Sequence, residues 1–126
     1  MRLTVPFFLL LLFITGCSKN NGAVKDTILP IINITTPTAG QLFTSGQSIR
    51  ITGSITDNNY IAEVHIHVYN NTTGALLMDV HLYPANAAAS FDQSITAVAG
   101  INYKIQVTAK DKAVNEARAS VEVSCN

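Results

Sequence analysis

His65 and His67 stand one residue apart in the run Glu63-Val64-His65-Ile66-His67-Val68-Tyr69, and His81 follows in Asp79-Val80-His81. On an extended strand, residues two apart share a face at about 7 Å separation, so these two imidazoles are neighbours. If the segment around His81 pairs with that strand, its ring reaches the same face, with Glu63 or Asp79 as an oxygen donor. Imidazole nitrogen combined with carboxylate oxygen is a donor set for zinc and related dications. The competing reading of the same residues is a solvated sheet face. A second set is Asp26, Asp57 and Asp111, remote in the chain but each beside a turn. Hard oxygens drawn from several loops suit calcium, which takes about six to eight of them. Asp and Asn also bond to their own turn backbones, and that local role competes with the ligand role.

Other chemistry finds little footing. The chain has 126 residues with 8 basic and 8 acidic side chains, so no excess of positive charge favours nucleic acid or an acidic polymer. There is no Gly-x-Ser-x-Gly elbow, no glycine-rich phosphate loop and no His-Glu-x-x-His, so the sequence supports no enzymatic reaction. Two cysteines are too few for a disulfide-stapled miniprotein or a cysteine-rich zinc module. The expected cofactor inventory is therefore none, or calcium or zinc at the two sets above.

The elements that must position these residues are strands. From residue 28 onward the apolar pattern has period two, and no longer window carries a helical stripe. The pattern predicts a first strand over Ile28–Thr35, placed at a sheet edge by Pro30. Gln47–Thr56 follows, with Ile49, Ile51 and Ile55 on one face. Next come Ile61–Tyr69, with Val64, Ile66 and Val68 inward, and Leu76–Tyr83. Pro84–Ala89 reads as a connection, with Ser90–Thr96, the run from Tyr103 to Ala109, and Ala117 to Val123 completing the set. Seven short strands separated by turn signals are the pattern of an antiparallel sandwich. At this length they form one domain.

The amino-terminal residues carry a different message. Arg2 precedes the apolar run Val5–Ile14, which is too short to span a bilayer and fits a secretory signal. The ending Ile14-Thr15-Gly16-Cys17 resembles the bacterial lipobox. That resemblance implies cleavage after Gly16, a diacylglycerol on the Cys17 thiol and an acylated new amino terminus. The expected organisation is a cleaved signal over 1–16, a lipidated tether over 17–26 and a folded domain over 27–126. Two acyl chains hold a protein stably on a membrane, at roughly 0.8 kcal/mol per buried methylene. Ser18 after the lipid site is compatible, by the same analogy, with sorting to an outer membrane. With Cys17 committed to lipid, Cys125 has no partner within the chain. Its expected place is the frayed end of the last strand, as a spare thiol or an intermolecular disulfide.

Tyr103-Lys104-Ile105-Gln106-Val107-Thr108-Ala109-Lys110-Asp111, then Lys112-Ala113-Val114-Asn115, resembles the penultimate strand and following turn of bacterial immunoglobulin-like and fibronectin-III-like domains. Val114 stands where that pattern has glycine. Tyr103 occupies the position of a tyrosine corner, whose hydroxyl bonds to upstream backbone. Together with the lipobox, the whole chain resembles small lipoproteins of the Bacteroidota type carrying a single Ig-like domain. The resemblance implies an all-β immunoglobulin-like sandwich in the cell envelope. A small scaffold on a membrane tether, with no catalytic constellation, is expected to present loops or a sheet edge to an envelope protein or a glycan without catalysis. Tyr60, Tyr69 and Tyr83 are the aromatic candidates for glycan contact. The alternative function is a small metal-binding lipoprotein using the His-x-His face.

Overall fold

Alternating burial builds the domain. The computed structural model describes residues 22–126, so the signal 1–16 and the lipidation site Cys17 lie outside the described residues. Seven strands follow in order: β1 (Ile31–Thr36), β2 (Leu42–Phe43), β3 (Ser48–Asn70), β4 (Leu76–Leu82), β5 (Asn86–Thr96), β6 (Asn102–Asp111) and β7 (Glu116–Cys125). No helix among the described residues is long and apolar enough to cross a membrane.

The 23-residue β3 joins the two layers. Its first half pairs with β1 on one side and β5 on the other, through Ile32↔Ile55 and Ile51↔Gln93. Its second half pairs with β4 and β6, through Ile66↔Val80 and Ile66↔Val107. β6 carries β7, and β7 carries β2. The result is an immunoglobulin-like sandwich with layers β1–β3–β5 and β4–β3–β6–β7–β2. The alternation read from sequence is the alternation observed: Ile49, Ile51 and Ile55 are buried against Val64, Ile66, Val68, Ile105 and Val107. The tyrosine corner is also present, with Tyr103 buried and the Val98 amide donating to its hydroxyl at 2.8 Å.

One inward position holds no side chain. Gly53 lies opposite Phe91, and a Cβ there would collide with the Phe91 ring and the Asn33 carbonyl. The ring fills the space that an inward residue at 53 would otherwise take.

Several boundaries differ from the sequence pattern. β1 begins at Ile31 rather than Ile28, because Pro30 has no amide to give a ladder and the Ile28 amide donates instead to Asp26 at 3.0 Å. The two strands expected over 47–56 and 61–69 are one, with the pairing to β5 shifting register between Thr56 and Ile61. Extended backbone carries through that stretch as the chain changes layers. Pro84–Ala89 is not wholly a connection: β5 starts at Asn86, and Ala88 pairs with Thr56. Alanine has low strand preference, and here the β3 neighbour decides. The two-residue β2 was too short to show a period. It pairs in parallel with β7, so the sheet is not wholly antiparallel. Finally, Cys125 is not frayed: its amide donates to Ile101 O at 3.1 Å, Phe43 is its β2 partner, and it is 3% exposed.

Candidate functional site

The sheet register assembles the histidine face. His65 on β3 stands opposite His81 on β4, and His67 stands opposite Asp79. Cross-strand neighbours of this kind approach to about 5 Å at Cβ, which brings their side chains together. The His65 and His81 rings stack with centroids 3.9 Å apart and planes 21° from parallel. His67 is edge-on to His65 at 5.6 Å. One ring nitrogen from each of the three histidines falls within 4.8 Å of the others.

Carboxylates hold these rings in place. Oδ1 of Asp79 lies 3.0 Å from His67 Nε2 and 2.9 Å from His81 Nε2. Glu63 Oε1 lies 2.6 Å from His65 Nε2, and this hydrogen bond draws the Glu63 carboxyl below its usual range. The Tyr69 hydroxyl is 3.2 Å from His67 Nδ1. All of these side chains are partly open to solvent, so the face is accessible without any backbone movement.

The aspartates converge at one end of the sandwich. Asp26 precedes β1, Asp57 sits where β3 changes layers, and Asp111 closes β6. One carboxylate oxygen from each falls within 4.8 Å of the other two. Local bonds satisfy most of their oxygens. Asp57 Oδ2 accepts from the amides of Asn59 and Tyr60 at 2.9 and 2.8 Å. Buried Asp111 accepts from the Asn115 amide at 2.7 Å and from its side chain at 2.6 Å. Asp26 accepts from the Asn58 side chain at 2.9 Å. Asp57 Oδ1 is different: it is shielded from solvent and has no hydrogen-bond partner among the described residues. A buried carboxylate oxygen without a donor costs free energy unless something positive meets it.

Asn115 was legible only as a turn residue, yet it ties this end together. Its side-chain amide reaches both Asp111 and the Asp26 carbonyl, the latter at 3.0 Å. The signal available was its place four residues after Asp111. The three tyrosines do not form one platform. Tyr60 lies beside Asp57 under the Lys112 ammonium, 5.7 Å from the ring centroid. Tyr69 is at the far end of β3, roughly 27 Å along the strand from Ile61. Tyr83, just past β4, is 68% exposed.

This two-layer arrangement, with its tyrosine corner and layer-switching strand, defines an immunoglobulin-like module. A family model described as bacterial Ig domain matches residues 30–123, and the chain belongs to that family. Among solved structures, the fibronectin(III)-like modules of Clostridium thermocellum CbhA align with a TM-score of 0.54 at 21% identity, over 79% of this chain. The chain spans 47% of that structure. The superoxide reductase (neelaredoxin) of Ignicoccus hospitalis aligns with a TM-score of 0.52 at 13% identity, covering 79% of this chain and 81% of that one. Both likenesses concern the fold alone. No curated protein sequence matches the chain.

Proposed function

We propose that this Ig-like module is a non-enzymatic component of a bacterial cell envelope, anchored by lipid at Cys17 and engaging an envelope protein or a glycan. The Ile14-Thr15-Gly16-Cys17 lipobox supports the anchor, and Ser18 supports an outer-membrane address. The observation that carries the binding role is the edge of β4. Among the described residues this strand pairs only with β3, and it leaves Leu76 at 50% exposure and Tyr83 at 68% beside a backbone edge open there. Proteins usually blunt such edges, because an open strand recruits partners. A photo-crosslinking residue at position 83 in the native envelope is expected to give a discrete adduct, while one at exposed Val98 gives none. Equal adducts at both positions, or none at 83, would refute the binding role.

A second reading concerns calcium at Asp26, Asp57 and Asp111, and the unpartnered Asp57 Oδ1 favours it. A cation there would join the tether to the domain through Asp26 and set how the module stands on its anchor. Binding to the folded state alone raises stability by mass action. Millimolar calcium is expected to raise the melting temperature by about 4 °C or more, an effect that Asp57→Asn abolishes. An unmoved melting temperature in the wild-type protein discards this reading.

A further inference from the structure

The histidine face has more organisation than a solvated sheet needs. A polar outward face requires only that water reach each side chain. Here three imidazoles and two carboxylates from adjacent strands are joined by contacts of 2.6 to 3.0 Å. The β3–β4 register places His65 against His81 and His67 against Asp79, so the grouping is set by the ladder and not by chance side-chain rotation.

We propose that His65, His67 and His81 bind a first-row dication of the zinc class, with Asp79 as the oxygen donor. The chemistry is that of the donor set: three borderline imidazole nitrogens and one carboxylate match zinc, nickel or copper better than calcium or magnesium. In a tetrahedral zinc site with bonds near 2.0–2.1 Å, ligand nitrogens stand about 3.4 Å apart. Nitrogens already within 4.8 Å need side-chain adjustment only, and the open face permits it.

Two ring nitrogens already carry the outer support that metal-bound histidines use. Glu63 meets His65 at Nε2, and the Tyr69 hydroxyl meets His67 at Nδ1, leaving the opposite nitrogen of each ring for a metal. Such outer partners fix ring orientation and tautomer, and their loss weakens metal sites about 10- to 100-fold. Asp79 Oδ1 lies within 3.0 Å of both His67 Nε2 and His81 Nε2, so the oxygen donor already stands beside two of the ring nitrogens. Side-chain adjustment alone would admit the ion, with the β3–β4 ladder left in place.

The test is calorimetric titration of zinc into the purified, tag-free full chain, with circular dichroism confirming that each variant is folded. The expected dissociation constant is below about 1 μM at one site, weakened about 100-fold or more by His67→Ala or His81→Ala. Glu63→Gln should weaken it by a smaller factor, because Glu63 supports a ring without being a ligand. Asp57→Asn, outside the histidine cluster, should leave zinc affinity unchanged. Wild-type binding weaker than about 100 μM overturns the proposal. So does zinc binding that survives in folded His67→Ala, or that is lost in Asp57→Asn.

Discussion

The histidine face and the aspartate end each bring one N or O atom from three side chains within 4.8 Å, but they are built in different ways. On the histidine face, two adjacent strands supply every residue, so the ladder hydrogen bonds that make the sheet also make the site. At the aspartate end, the segment before β1, the β3 crossover and the end of β6 contribute one carboxylate each, and the side chains themselves latch the loops. The aspartates are therefore structural whatever they bind, whereas the histidines are almost free of structural duty. Side chains that can be removed without harm to the fold are the ones most directly assigned to a ligand.

Substitutions can break or sharpen that contrast. The largest loss is expected from Gly53→Ala, which strikes the packing of the β1–β3–β5 layer. The new methyl group meets Phe91 and a backbone carbonyl, and overpacking of that kind costs about 3 kcal/mol, read as a lowered denaturant midpoint. Next comes Asp111→Ala, which removes both bonds to Asn115 in a buried setting and should cost about 2 kcal/mol. His67→Ala, by contrast, should change stability by no more than about 0.5 kcal/mol in metal-free buffer. Equal losses from these two variants would erase the distinction.

Val114 sharpens the aspartate side. It has φ +71° and is 72% exposed, a backbone conformation that a β-branched residue adopts only under strain. Val114→Gly should raise stability by about 1 kcal/mol, seen as a melting temperature several degrees higher.

The smallest effect is expected from an ion pair in the other layer, remote from both candidate sites. Arg50 grips Asp92 through two bonds, one of them 2.9 Å, and holds the Asp92 carboxyl below its ordinary 3.8. A depressed carboxylate stabilises the fold above its unfolded pKa, and that contribution fades as pH falls through the folded value. Asp92→Asn should thus differ slightly from wild type at neutral pH and converge with it as pH falls from 3.8 through the depressed folded pKa. Urea melts across that range would check the sign. The pair is exposed, so the difference stays small.

Period-two alternation made the core legible, because burial on one face leaves a direct trace in residue type. Ile49, Ile51, Val64, Ile66 and Val107 were all visible in that way. The histidine set was legible too, through the spacing of His65 and His67, while the part played by His81 depended on a register that only the hairpin geometry decides. The strand beginning at Asn86 was not legible, since alanines take their conformation from the neighbour they pair with. Nor was the union of two expected strands into β3. The polar residues 57–60 look like a turn, and what keeps them extended is the crossing between layers, a property of the whole fold.

The most direct test of the account is the intact mass of the protein extracted from native membranes. A lipid-anchored Ig-like module predicts a chain beginning at Cys17 and carrying a diacylglycerol, with a further acyl group on its new amino terminus. A chain that retains residues 1–16, or that is cleaved with the Cys17 thiol unmodified, would contradict it.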